Sequence, residues 1–269
     1  MATSKTIFNI TEERTSKLAV LIDADNASAK DIKNILDELT KYGEATVKRI
    51  YGNFTSTQNT QWKKVINELA IKPVQQFEYT TGKNATDGFM IIDAMDLLYT
   101  NRFDGFAIVS SDSDFTALAI RIKEHGATVY GFGKKQTPEA FKNACSQFIY
   151  VENLRTDELE EKIIVPKSIL KISSNNKENS AILKAEPIQN IDTTLPLHTI
   201  KQIFDNQDSE WITVASFGSQ WKLLQTDFDP RNYGFKKLGD LVKNTPQLFE
   251  YDERTLENGH KHSYMKLKK

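Results

Sequence analysis

A single cysteine, Cys145, leaves the 269-residue chain without any possible internal disulfide and without a Cys/His zinc framework. Placed late in a predicted helix, it reads as ordinary packing. No stretch approaches the ~20 consecutive apolar residues of a membrane span. The N-terminal residues Met1 to Ser16 are polar and lack the apolar centre of a secretory signal, so the expected location is cytoplasmic, with no membrane partner. An excess of charge of either sign is missing too: the formal net charge is -1. Overall charge therefore speaks neither for nor against nucleic acid, although a nuclease could concentrate its basic residues locally. The histidines, His125, His198, His260 and His262, are scattered away from the acidic motifs, and nothing resembles a nucleophilic triad. His125 sits where a helix C-terminus favours a cation. The early segment has no glycine-rich phosphate loop. Gly131-Phe132-Gly133-Lys134-Lys135 comes too late and is too short to be one, and reads as a turn with a local basic spot.

What is present is a set of acids at predicted strand-to-helix handovers. Asp23 and Asp25 follow the apolar run Leu18–Ile22. Asp87 opens an amphipathic helix after Gly82-Lys83-Asn84. Asp112 and Asp114 follow Phe106–Val109 within Ser110-Ser111-Asp112-Ser113-Asp114-Phe115. In a parallel α/β sheet such positions converge at the carboxyl ends of the strands, where ligands bind. Gathered carboxylates repel one another unless a cation or shared protons neutralise them. Mg²⁺ or Mn²⁺ is the economical choice, because hard ions take oxygen ligands. Against this stand capping and turn roles, stronger for Asp25 than for Asp23, and a cap role for Asp114. Asn26 could cap, or bond a phosphate or a metal-bound water. Ser110 and Ser111 could position a phosphate or orient a ligand carboxylate. Lys83 reads equally as a phosphate contact and as a solvated loop lysine. Asp93 lies about 240° around its helix from Asp87 by helical pitch, which makes it a supporting acid.

The pattern from Leu18 to about Tyr150 alternates strand and helix. Strands are expected at Leu18–Ile22, Ala45–Tyr51, Val74–Tyr79, Phe106–Val109, Thr128–Phe132 and Phe148–Val151. Helices are expected from a Ser28 cap through Leu39 with Gly43 closing it, and at Thr60–Leu69, Asp87–Tyr99, Phe115–His125 and Pro138–Cys145. The third is dense in Phe89, Met90, Ile91, Ile92, Met95 and Leu98, which predicts deep burial. This order implies right-handed crossovers and a mostly parallel sheet flanked by helices. Residues 155 to about 192 are rich in Lys, Glu, Asn and Ser without periodicity, a linker signature. Periodicity returns near Leu195: three short helices, the second with Ser216 as its cap, then strands at Phe249–Tyr251 and Tyr264–Leu267 joined through Asn258-Gly259. That is the outline of a small winged-helix-like α+β domain. The expected division is 16–153, a linker at 154–192, and 193–269.

Leu21-Ile22-Asp23-Ala24-Asp25-Asn26, Gly82-Lys83-Asn84-Ala85-Thr86-Asp87 and Ser110-Ser111-Asp112-Ser113-Asp114-Phe115, in this order, resemble the NYN family, over about residues 16 to 153. The resemblance implies a PIN-like, FLAP-nuclease-related (LabA-like) fold and a Mg²⁺/Mn²⁺-dependent ribonuclease site. Asp23, Asp87, Asp112 and Asp114 match its acidic positions and Asn26 its first-motif asparagine. The link Asn84-Ala85-Thr86 departs from the shorter or glycine-containing link common in related sequences. The tail resembles the LOTUS or OST-HTH domain through Leu197-His198-Thr199-Ile200, Gly218-Ser219, Tyr233-Gly234-Phe235-Lys236-Lys237-Leu238 and Phe249-Glu250-Tyr251. Such domains are associated with RNA or with protein partners.

The expected function is hydrolysis of RNA phosphodiester bonds. Asp23, Asp87, Asp112 and Asp114 would be catalytic and hold one or two ions, with Asn26, Lys83, Ser110 and Ser111 at the substrate. Lys222, Arg231, Tyr233, Lys236 and Lys237 would contact RNA from the C-terminal domain. A protein partner and a homodimer are compatible with this reading. Two rivals are a catalytically inactive RNA- or protein-binding adaptor, and a haloacid-dehalogenase-type phosphatase in which Asp23-Ala24-Asp25 is the nucleophile and acid pair. The second leaves Asp87 idle and lacks the threonine turn after Asp25.

Overall fold

The computed structural model describes residues 15–55, 61–76, 85–155, 195–207, 209–255 and 259–268, and for Ala85 and Thr86 only their place in a helix. All of the expected linker beyond Arg155, Lys83 and the end of the third expected strand lie outside these residues. The chain divides into two compact units, Met1–Leu154 and Arg155–Lys269.

Among the described residues the first unit holds six strands: β1 (Lys17–Asp23), β2 (Glu44–Gly52), β3 (Lys72–Gln75), β4 (Gly105–Val109), β5 (Thr128–Gly133) and β6 (Gln147–Tyr150). They form one sheet in the order β3-β2-β1-β4-β5-β6, and every neighbouring pair is parallel. Pro73 falls in β3, an edge strand, where a residue without an amide proton is tolerated. Helices α1 (Ile32–Leu39), α2 (Trp62–Glu68), α3 (Ala85–Tyr99), α4 (Thr116–Glu124) and α5 (Glu139–Ala144) connect them.

Side-chain alternation divides the core between the two sheet faces. Leu18, Val20 and Ile22 of β1 join Ile32, Ile35 and Leu39 of α1 and Trp62 of α2. Ala19 and Leu21 point the other way, to Met90, Ala94 and Leu98 of α3 and Leu118 and Ile122 of α4. The continuous apolar runs of β1 and β4 are what a doubly covered parallel sheet requires. Asp23, at the end of β1, shares the parity of Ala19 and Leu21, the residues on the α3 face.

Several local expectations need correction. Ser28 does not cap α1: its carbonyl accepts Asp31 N at 3.0 Å in a preceding turn, and the helix starts at Ile32 without a side-chain cap. Gly43 is not the C-cap of α1, which ends at Leu39 with Thr40 as its cap; it lies where the chain passes Ser16 into β2. Its φ is not positive, and an added Cβ would sit 2.3 Å from the Ser16 carbonyl oxygen. Gly126 does take the left-handed conformation after α4, with φ +90°. On α3, Met90 and Leu98 are buried, but Phe89 and Ile92 are exposed to 40% and 61%. The helix therefore buries one stripe, not its whole surface.

The second unit contains α6 (Leu197–Asp205), β7 (Ile212–Thr213), α7 (Val214–Leu224), α8 (Leu238–Lys243), β8 (Phe249–Thr255) and β9 (Lys261–Leu267). Its strands form an antiparallel sheet in the order β7-β9-β8. The cap of α7 is Thr213, whose Oγ1 accepts Ser216 N at 3.1 Å, rather than Ser216. Ile200, Ile203, Phe217, Trp221, Phe228, Leu241, Phe249 and Met265 make its core. Trp221 and Phe228 stack with ring centroids 3.9 Å apart. Three helices and a hairpin around one core fit the winged-helix outline.

Candidate metal centre

Strand order 3-2-1-4-5-6 reverses direction between β1 and β4, so the crevice at their carboxyl ends is the topological switch point. In dinucleotide-binding folds of this order a glycine-rich turn occupies that crevice. Here acids occupy it.

Asp23, the last residue of β1, is fully buried. Its Oδ1 accepts backbone N–H groups from Asp25 at 3.0 Å and Asn26 at 3.3 Å. Its Oδ2 accepts Asn26 Nδ2 and Ser110 Oγ, both at 2.8 Å. Four donors thus satisfy the oxygens of this buried carboxyl group. Ser110 in turn accepts Asp112 N at 3.1 Å, and Asp112 Oδ1 accepts Asp114 N at 2.9 Å, capping the 3-10 turn Ser113–Phe115. Hydrogen bonds therefore run unbroken from the end of β1 to the start of α4.

Asp87 lies in the first turn of α3. One carboxylate oxygen each from Asp87, Asp112 and Asp114 lie within 4.8 Å of one another. Burial, then repulsion from Asp23, Asp112, Asp114 and Asp25, pushes the Asp87 carboxyl up to about 6. The donor set is all carboxylate oxygen and strains against its own charge, which fits a hard divalent cation. Acidic side chains from two motifs far apart in sequence thus converge. Asp23 stands apart from the group of three: its oxygens are engaged by protein donors, and it is the strongest neighbouring charge on Asp87.

Asn26 and Ser110 hold Asp23, while Ser111 Oγ accepts Lys134 N at 2.9 Å. Asp93 serves a different cluster. It pairs with Arg49, and its Oδ2 accepts Tyr51 Oη at 2.5 Å. Burial and then the bond to Asp93 raise the Tyr51 phenol well above its usual value. Sequence reading saw Asp93 as a supporting acid but had no signal for these partners, because Arg49 and Tyr51 arrive from β2.

In the second unit the candidates divide. Lys222, Lys236 and Lys237 are exposed. Arg231 is clamped to Asp229, from Nε at 2.9 and 3.0 Å and from Nη2 at 2.5 Å. The Tyr233 ring packs near Trp221 and Phe228, with centroids at 6.0 and 6.4 Å, and burial pushes its phenol up to about 12.

Residues 17–154 match the NYN domain and residues 193–260 the OST-HTH/LOTUS domain. The chain belongs to the NYN domain family, a PIN-like nuclease family, and carries a C-terminal OST-HTH/LOTUS domain. It is similar to uncharacterized protein MJ0482 of Methanocaldococcus jannaschii, 29% identical over 121 residues, 44% of this chain and 47% of that protein. The chain thus spans about half the length of that curated relative. Among solved structures it is similar to VPA0982 of Vibrio parahaemolyticus (16% identity, TM-score 0.45, covering 52% of this chain and 96% of that one). It is also similar to the protein from gene locus NE0665 of Nitrosomonas europaea (30% identity, TM-score 0.28, covering 35% and 92%). No helix among the described residues is long and apolar enough to cross a membrane.

Proposed function

We propose that this protein is a ribonuclease that hydrolyses RNA phosphodiester bonds with a Mg²⁺ or Mn²⁺ ion, and that its C-terminal domain contributes RNA affinity. The observation that carries the reading is the convergence of Asp87, Asp112 and Asp114 at the switch point of a NYN-family sheet. These three carboxylates would hold the ion. When bound, it supplies Lewis acidity toward the scissile phosphate and makes a water nucleophile available at neutral pH. Asp23 holds Ser110 and the Asn26 turn in place, and adds negative charge behind the ligands. Asp112 is fixed twice, by its amide to Ser110 and by its carboxylate to the Asp114 amide. A ligand held this way keeps its orientation when the ion arrives. Hydrolysis forms one P–O bond from water and breaks one ester P–O bond, with the water protons passing to the leaving oxygen and to solvent. A phosphatase using Asp23 as nucleophile fits less well, because that carboxylate is buried under four hydrogen bonds.

The test is cleavage of a labelled single-stranded RNA oligomer and its DNA counterpart in Mn²⁺, Mg²⁺ or EDTA. Expected is ion-dependent cleavage of RNA that is lost in Asp87→Asn and Asp112→Asn. Cleavage by Asp112→Asn equal to wild type would reject this centre.

A further inference from the structure

The loop after β5 brings two lysines to the carboxyl edge of the sheet, next to the Ser110–Ser111 segment that leads into Asp112. Gly133 ends β5 against β4: an added Cβ would lie 2.7 Å from the Ser110 carbonyl oxygen and 2.7 Å from Thr137 Oγ1. That close approach brings the next two residues, Lys134 and Lys135, to the carboxyl edge of the sheet. Their backbone is pinned there. Lys134 N donates to Ser111 Oγ at 2.9 Å, and Lys135 N donates to Glu152 Oε1 at 3.2 Å. Lys134 also lines a recess on the α1 side of the sheet, with Ile35 and Val151 as well as Asn26, Ser110 and Ser111; Asn26 and Ser110 brace Asp23, and Ser111 precedes Asp112. Neither lysine forms an ion pair among the described residues, whereas Arg49, Lys142 and Arg231 do. Cations left unpaired at the edge of a carboxylate centre offset its repulsion toward an incoming phosphate chain.

We infer that Lys134 and Lys135 are substrate-binding residues that hold the phosphates of single-stranded RNA flanking the scissile bond. The inference rests on the ribonuclease reading for what occupies the crevice, but its test reads binding rather than cleavage. The lysines carry no sequence discrimination, because phosphate contacts position a strand without reading its bases.

The experiment uses the full chain and a fluorescent single-stranded RNA in Ca²⁺, with affinity measured by anisotropy over a range of KCl concentrations. The variants are Lys134→Gln/Lys135→Gln, Lys134→Arg/Lys135→Arg and Asp112→Asn. The glutamine pair is expected to bind several-fold more weakly and to flatten the plot of log affinity against log salt by about 1.4, at about 0.7 per lost single-strand contact. The arginine pair should restore both. Unchanged melting temperatures are expected, since the loop is held through backbone amides. Wild-type affinity and salt slope in the glutamine pair would overturn the inference. Undiminished cleavage in Asp112→Asn would instead strike the metal centre and leave the binding result standing, so the two failures are separable.

Discussion

Ser110 Oγ donates to Asp23 Oδ2 at 2.8 Å across 87 residues of sequence, and both side chains are buried. This bond ties the end of β4 to the end of β1 at the switch point. Ser110→Ala removes it and also the acceptor for Asp112 N. Leaving buried polar groups short of partners costs about 1–3 kcal/mol. Urea denaturation should show that loss, and cleavage should fall because Asp112 is no longer held. Unchanged stability and unchanged activity would show that the latch is idle.

Asp87 makes the centre sensitive to pH. Its folded value, about 6, lies above the ordinary aspartate value of 3.8 that the unfolded chain has. Below the lower value both states carry the proton and the group costs nothing. As pH rises through the folded value, the native state must ionise against its neighbours, and that share of stability is lost. Because the group is only partly buried, the loss is on the order of 1 kcal/mol after solvent screening. On the proposed reading, a divalent ion held by these carboxylates would remove the repulsion, so its binding would release a proton and strengthen between pH 5 and 7.5. Thermal unfolding should show a larger Mn²⁺ shift at pH 7.5 than at pH 5, and Asp87→Asn should flatten the difference. Equal shifts at both pH values in the wild type would contradict this account.

Asp93, on the same helix, gives a contrasting case. It pairs with Arg49 and accepts Tyr51 Oη, and both charged side chains are largely buried, at 22% and 16% exposure. Asp93→Ala leaves a guanidinium and a phenol without their acceptor, a loss of about 3 kcal/mol at the low end of broken buried pairs. Asp93→Asn keeps an acceptor for Tyr51 and should be milder. Below its melting temperature the asparagine variant should cleave RNA at near the wild-type rate, since Asp93 is not among the clustered carboxylates. A loss of cleavage without a loss of stability would place Asp93 in the chemistry.

Some of this was legible in the sequence because it is periodic. Uninterrupted apolar runs at Leu18–Ile22 and Phe106–Val109 announced buried parallel strands, and acids just beyond them announced a crevice. What periodicity does not carry is which atom each polar group meets. Asp23 and Asp87 both sit at strand-to-helix handovers in sequence, yet one is saturated by Ser110, Asn26 and two amides while the other faces acids. The exposure of Phe89 and Ile92 was hidden for a related reason: apolar residues crowd every side of α3, and Asp87, Asp93 and Asp96 do not line up into one polar stripe that would mark the side lacking a neighbour. The Lys134 loop was visible only as a basic spot, because its placement depends on β5 lying beside β4.

The C-terminal domain separates residues that hold the fold from residues that can meet RNA. Tyr233 packs near the Trp221–Phe228 stack, and Arg231 is locked to Asp229. Tyr233→Ala should therefore act first on stability, lowering the melting temperature of this domain, with any fall in RNA affinity following the unfolded fraction. Phe228→Ala should cost about 3–5 kcal/mol, the range for a large aromatic removed from a core. Lys236→Gln/Lys237→Gln touches exposed side chains and should leave the melting temperature unchanged while reducing RNA affinity and its salt dependence. Circular dichroism melts paired with anisotropy titrations decide the assignment. Lysine variants that bind as wild type would remove this face from RNA recognition, and a Tyr233→Ala protein that melts normally but binds weakly would give the ring a direct stacking role.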